Sequence, residues 1–108
     1  MAAGDNCNLT PDAVGVLSGT AGNQTTIQIK NLSGGDALFV TVFYNEVEVA
    51  KDTASATFTI VAGKKNLTFV YEGSAPGDQL AIVDPCGTLL AAFSSDPGNF
   101  QIILTVQA

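Results

Sequence analysis

The chain has 108 residues, 10 acidic and 4 basic side chains, a net charge of −6, two Cys, no His and no Trp. At this length one domain with one core is expected, burying roughly 60–70% of the unfolded chain's surface, and a two-domain enzyme is excluded. The cations are all Lys (Lys30, Lys51, Lys64, Lys65), so an acidic chain without a guanidinium fork is a poor partner for nucleic acid or for anionic membrane surfaces.

Residues 1–12 are polar and are expected to form an N-terminal arm ahead of a domain spanning 13–108. Met1 to Cys7 carry no basic n-region and no apolar run, and nowhere do 18 apolar residues follow one another. No membrane insertion is expected. Val14 to Leu17 reads as a short first strand, closed by the turn-forming run Gly19 to Asn23. In Thr25 to Asn31, Ile27 and Ile29 alternate with Thr26, Gln28 and Lys30, the period of a half-buried strand. Ser33 to Asp36 is a turn. Ala37 to Tyr44 is the most apolar segment, with Leu38, Val40, Val42 and Tyr44 on one face and Phe39, Thr41 and Phe43 on the other, so it expects cover on both sides.

Glu46-Val47-Glu48-Val49 alternates with its carboxylates outward, a pattern that discourages sheet-to-sheet aggregation. Ala56 to Val61 places Phe58 and Ile60 inward, and Leu67, Phe69 and Tyr71 share a face after the turn at Ala62 to Lys65. Leu80 to Val83 is another strand, ended at Asp84-Pro85 because Pro cannot donate to a ladder. Thr88 to Phe93 follows, and in the last strand Phe100, Ile102, Leu104 and Val106 alternate with Gln101, Ile103, Thr105 and Gln107. The sum is an all-β chain, a single antiparallel β-sandwich of about seven or eight strands with turns roughly every 8–12 residues, immunoglobulin-like or jelly-roll.

Several of these segments resemble a known family. Thr26 to Asn31, Gly34, Ala37, Val40 to Tyr44, Ala62-Gly63, Phe69, Ile82 to Pro85, Gly98-Asn99 and Leu104 to Val106 together resemble the bacterial immunoglobulin-like domains of the cell-adhesion-related type, CARDB, over about residues 25–107. The resemblance implies a seven-stranded sandwich and a role as an extracellular spacer or adhesion module. The layout of a short arm containing Cys7 ahead of one sandwich is also similar to the jelly-roll subunits of bacterial endospore appendages, in which the arm docks on other subunits and disulfides staple the fibre.

Chemistry has little to work with. Without His there is no default base near neutral pH, which removes Ser-His-Asp and Cys-His arrangements and most zinc sites, and no cofactor is expected. Cys7 and Cys86 are an even pair in a Thr-, Asn- and Gly-rich chain and are expected to form a disulfide, within the chain or to a neighbouring subunit. That expectation places the protein outside the cell or at its surface, with synthesis without Sec export as the other route. Asp78, Asp84 and Asp96 flank Gly/Pro turns and are the weak candidates for calcium, an oxygen-seeking ion, although no spaced Asp-x-Asp-x-Asp-Gly loop exists. Turn formation is the simpler role for each.

What exceeds the needs of one small core is apolarity. Phe39, Phe43, Val61, Val70, Leu90 and Ile103 lie opposite the faces assigned inward and are expected to form an assembly face. The expected function is therefore a non-enzymatic structural subunit that self-assembles into an extracellular fibre, layer or ring. Apolar strand faces, edge strands near either terminus and the arm would provide the contacts to copies of itself. The alternatives are a monomeric adhesion module binding glycans or another surface protein through loops 73–78, 84–88 and 94–99, and a phage or virus decoration protein.

Overall fold

The computed structural model describes residues 6–32, 39–74, 79–94 and 98–108. The described residues form strands and turns and contain no helix. In chain order the strands are β1 (Thr10–Ala13), β2 (Val16–Ser18), β3 (Gln24–Asn31), β4 (Val40–Tyr44) and β5 (Val47–Thr53). They continue with β6 (Ser55–Thr59), β7 (Lys64–Ser74), β8 (Gln79–Val83), β9 (Leu89–Ser94) and β10 (Gly98–Gln107). They make two packed sheets, six strands in the order β1-β2-β10-β7-β4-β5 and four in the order β6-β3-β8-β9. This is the expected β-sandwich, with ten strands where seven or eight were anticipated. The sandwich is not purely antiparallel, because β2 runs parallel to β10.

Period-two alternation places the core where the sequence put it. Ile27 and Ile29 from β3, Val40, Val42 and Tyr44 from β4, Phe58 from β6, Leu67 and Phe69 from β7, and Leu104 and Val106 from β10 are all buried in one cluster between the sheets. Each such side chain contributes about 1.5–3 kcal/mol on leaving water. The Tyr44 ring stacks on Phe58 at 4.5 Å, and its hydroxyl accepts a hydrogen bond from the Val61 amide at 2.9 Å. One side chain thereby ties β4 of the larger sheet to the exit of β6 in the smaller.

Two strand endings show what the backbone demands. Asn45 and Glu46 turn β4 into β5 with φ of 56° and 64°, the paired left-handed residues of a type I′ hairpin, a conformation that suits Asn and strains Glu. Gly19 lies so close to the core that a Cβ there would stand 2.7 Å from the Ile60 Cδ1 and 3.2 Å from the Leu9 Cδ2. No larger residue fits without moving them.

Residues 6–12, expected as an arm outside the sandwich, are part of it. The Asn6 carbonyl accepts hydrogen bonds from the Thr26 amide at 2.9 Å and the Thr25 hydroxyl at 3.2 Å, and the Asn8 side chain donates to the Gln24 carbonyl. Leu9 is buried in the core and Thr10–Ala13 pairs with β2. The reason is a vacancy on β3: β8 pairs only with Gln28 to Asn31, so the half of β3 from Gln24 to Thr26 takes the N-terminal segment instead. Residues 1–5 lie outside the described residues.

Candidate functional site

Three features carry the sequence expectations: a disulfide corner, the outer face of the larger sheet and the sheet edges. At the corner, Cys7 on the N-terminal segment is joined to Cys86 across 79 residues of sequence, so the pairing left open by the sequence falls within one chain. Cys86 lies between β8 and β9, and Cys7 lies between Asn6 and Asn8, which bond to β3, so the bond ties the N-terminal segment to the β8–β9 turn of the smaller sheet.

Asp84 makes this corner. Its Oδ1 accepts hydrogen bonds from the amides of Cys86 at 3.1 Å and Thr88 at 2.8 Å, while its backbone carbonyl accepts from Gly87 at 3.0 Å. This is an Asx turn, which compensates for burying the carboxylate and sets the direction in which Cys86 leaves the strand. Potential ligand atoms of Cys7, Asp84 and Cys86 lie within 4.8 Å of one another, but the two sulfurs are bonded to each other and the carboxylate is committed to the turn. Asp84 thus has the turn-forming role. Asp78 and Asp96 lie outside the described residues, as do 75–78 and 95–97 of the loops considered for ligand binding.

The expected assembly residues separate into three groups. Phe43, Val70 and Ile103 come together on the outer face of the six-stranded sheet, where the pairings run Ile103–Thr68–Phe43–Glu48 in one row and Gln101–Val70–Thr41 in the next. Ile103 is 54% exposed and Phe43 and Val70 are half-buried, with Thr41 and Thr68 filling the same surface. Alternation along the chain puts Phe39, 56% exposed, on the same side. Val61 is exposed but sits beyond β6, outside these rows. Leu90 is a correction: it is only 6% exposed and belongs to the core. A register shift on β9 between the partners of Ile82 and Val83 inserts one extra residue there, which reverses the simple alternation and turns Leu90 inward and Leu89 outward.

The edges also differ from expectation. The C-terminal strand β10 is interior, flanked by β2 and β7, and among the described strands the four borders are β1, β5, β6 and β9. Only one of these lies near a terminus. Nothing local in Ser55–Thr59 marks it as a border, because neighbours in a sheet are chosen by distant residues.

The chain matches no protein-family model, no curated protein and no solved structure.

Proposed function

We propose that this chain is a non-enzymatic structural subunit that self-assembles into an extracellular fibre, layer or ring. The observation that carries the reading is the outer face of the six-stranded sheet, where Phe43, Val70 and Ile103, with Phe39 beside them, stand in rows with Thr41, Thr68, Gln101 and Glu48. A face of β-branched and aromatic side chains on an antiparallel sheet is the kind of surface that a second molecule removes from water. The disulfide, with Cys86 exposed and Cys7 half-buried, fits an oxidising, extracellular setting. Because it closes within the chain, subunits associate through non-covalent contacts.

Within the sandwich class, the immunoglobulin-like reading is the better supported of the two. The order β2-β10-β7-β4-β5 with β2 parallel to β10, opposite a sheet that pairs β3 with β6, has the strand sequence of an immunoglobulin A′-G-F-C-C′ sheet facing a B-E pair.

Native mass by light scattering after size exclusion tests the function. Mass should rise with concentration and stay unchanged by reductant-free storage or by blocking of free thiols, and Ile103→Lys should reduce the assembled fraction at least about tenfold through the buried charge it would impose. A constant 11.0 kDa monomer at millimolar concentration would overturn the reading.

A further inference from the structure

The four borders of the sandwich are not equally defended. β1 carries Pro11 and a register shift at Asp12, and β5 carries Glu48, Lys51, Asp52 and two register shifts against β4. Both belong to the six-stranded sheet, and both use the devices that stop strands from pairing with other chains. β6 and β9, the borders of the four-stranded sheet, have neither charge nor proline, Ser-Ala-Thr-Phe-Thr and Leu-Leu-Ala-Ala-Phe-Ser, and the one register shift of β9 lies near its start, at Leu90, away from Ala92 and Ser94. β6 pairs with β3 over its whole length without a shift.

The hydrogen-bond phase of both borders follows from the hydrogen bonds of neighbouring residues. The Ile60 amide bonds the Asn23 carbonyl at 2.8 Å and the Ile29 amide bonds the Ala54 carbonyl at 2.9 Å. Alternation between these two pairs turns the peptide groups of Ala56 and Phe58 toward β3 and those of Ser55, Thr57 and Thr59 away from it. Ser55 is already satisfied by the Thr53 hydroxyl, which leaves Thr57 and Thr59. On the other border, the Leu32 amide bonds the Gln79 carbonyl at 2.7 Å, so Gln79 faces β3, and the β9 residues opposite Gln79 and Ala81, Ser94 and Ala92, direct their peptide groups away from β8. They lie toward the end of β9, whereas the Cys7–Cys86 bond lies near its start.

We propose that β6 of one copy pairs antiparallel with β9 of a second copy, Thr57 opposite Ser94 and Thr59 opposite Ala92, and that repetition of this contact builds the assembly. Three properties of the two borders agree. Strand directions alternate across β6-β3-β8-β9, so a second copy in the same orientation presents β9 antiparallel to β6. The outward-bonding residues Thr57, Thr59 and Ala92 all have exposed side chains, while Phe58 and Phe93 point to the core side, so bonding phase and sheet face match in one register. The contact would add about four backbone hydrogen bonds and would continue the smaller sheet from copy to copy. Because the larger sheet is wider by two strands, about 10 Å, successive copies would be inclined, giving a ring or superhelix with the four-stranded sheet inside. The Phe43–Ile103 face then lies on the outside, where one contact between single copies is too weak to hold them but the many faces aligned by border pairing act together to join neighbouring strings.

This inference rests on the self-assembly reading, and two proline variants separate the two. Thr59→Pro removes an outward amide of β6 and Ala92→Pro an outward amide of β9, neither used within the sheet. Each variant alone should be monomeric by light scattering where the wild type is larger than a dimer, and their equimolar mixture should give dimers and nothing larger, since each keeps one competent border. Either variant assembling alone would overturn the pairing, including a dimer of one variant, which means like borders meet. Wild-type assemblies that survive both substitutions overturn the pairing and leave assembly through the sheet face standing, whereas a monomeric wild type overturns both. Should a proline variant fail to fold, amide exchange in the wild type decides: Thr57, Thr59 and Ala92 should exchange about tenfold more slowly in the assembly than in the diluted monomer, and unchanged rates would overturn the proposal.

Discussion

The two sheets leave different parts of themselves uncommitted. The six-stranded sheet has defended borders, with Pro11 on one side and Glu48, Lys51 and Asp52 on the other, but its outer face carries Phe43, Val70 and Ile103. The four-stranded sheet is the reverse: exposed Ser55, Thr57 and Thr59 and the cation Lys30 give it a polar outer face, and its borders β6 and β9 carry no charge. Protection is therefore distributed by surface type. A sheet whose face is sticky has blocked edges, and a sheet whose edges are open has a polar face, so neither can aggregate in both directions at once.

The largest effect that would sharpen this comparison comes from the bond that ties the N-terminal segment to the β8–β9 turn of the smaller sheet. Replacing both cysteines, Cys7→Ser with Cys86→Ser, releases a loop of 79 residues, and the chain-entropy model gives a loss of about 4–5 kcal/mol, read as a lower urea midpoint. An unchanged midpoint would mean that the hydrogen bonds of Asn6 and Asn8 to β3 hold that corner by themselves. Smaller is the loss expected from Asp84→Ala, about 1–3 kcal/mol, because the amides of Cys86 and Thr88 lose their acceptor. If calcium leaves the melting temperature of both proteins unchanged, the turn role of Asp84 stands; a calcium-dependent rise abolished by the substitution would count against it.

On the larger sheet, Glu46→Gly relieves the left-handed strain in the hairpin at the head of β5 and should stabilise the monomer by about 0.5–1 kcal/mol. Its assembly should be unaltered, since Glu48, Lys51 and Asp52 still guard that border. Smallest of all is the stability effect of Ile103→Lys, within about 0.5 kcal/mol for an exposed position, although its effect on assembly is the largest expected for the sheet face. A substantial loss of stability would show that Ile103 already has a partner within the monomer.

Much of the core was legible in the chain. Ile27 and Ile29, Val40 and Val42, Leu67 and Phe69, Leu104 and Val106 alternate with polar neighbours, and each lies inward as that alternation requires. Leu90 was not legible, because the extra residue on β9 is defined by its pairing with Ile82 and Val83, which no local pattern records. Thr10–Ala13 was missed for a related reason: Pro11 and Asp12 are poor strand formers, and the segment is held by its pairing with β2 and by Leu9 in the core.

By itself, then, the sequence determined the class of fold, the inward faces of most strands and the absence of a histidine-based site, since these depend on side-chain type and a period of two residues. The pairing of Cys7 with Cys86, the docking of residues 6–12 and the identity of the four borders were decided only by tertiary structure. Strand neighbours are selected by hydrogen bonds and packing between residues far apart in the chain, and an edge is whatever that selection leaves unpaired.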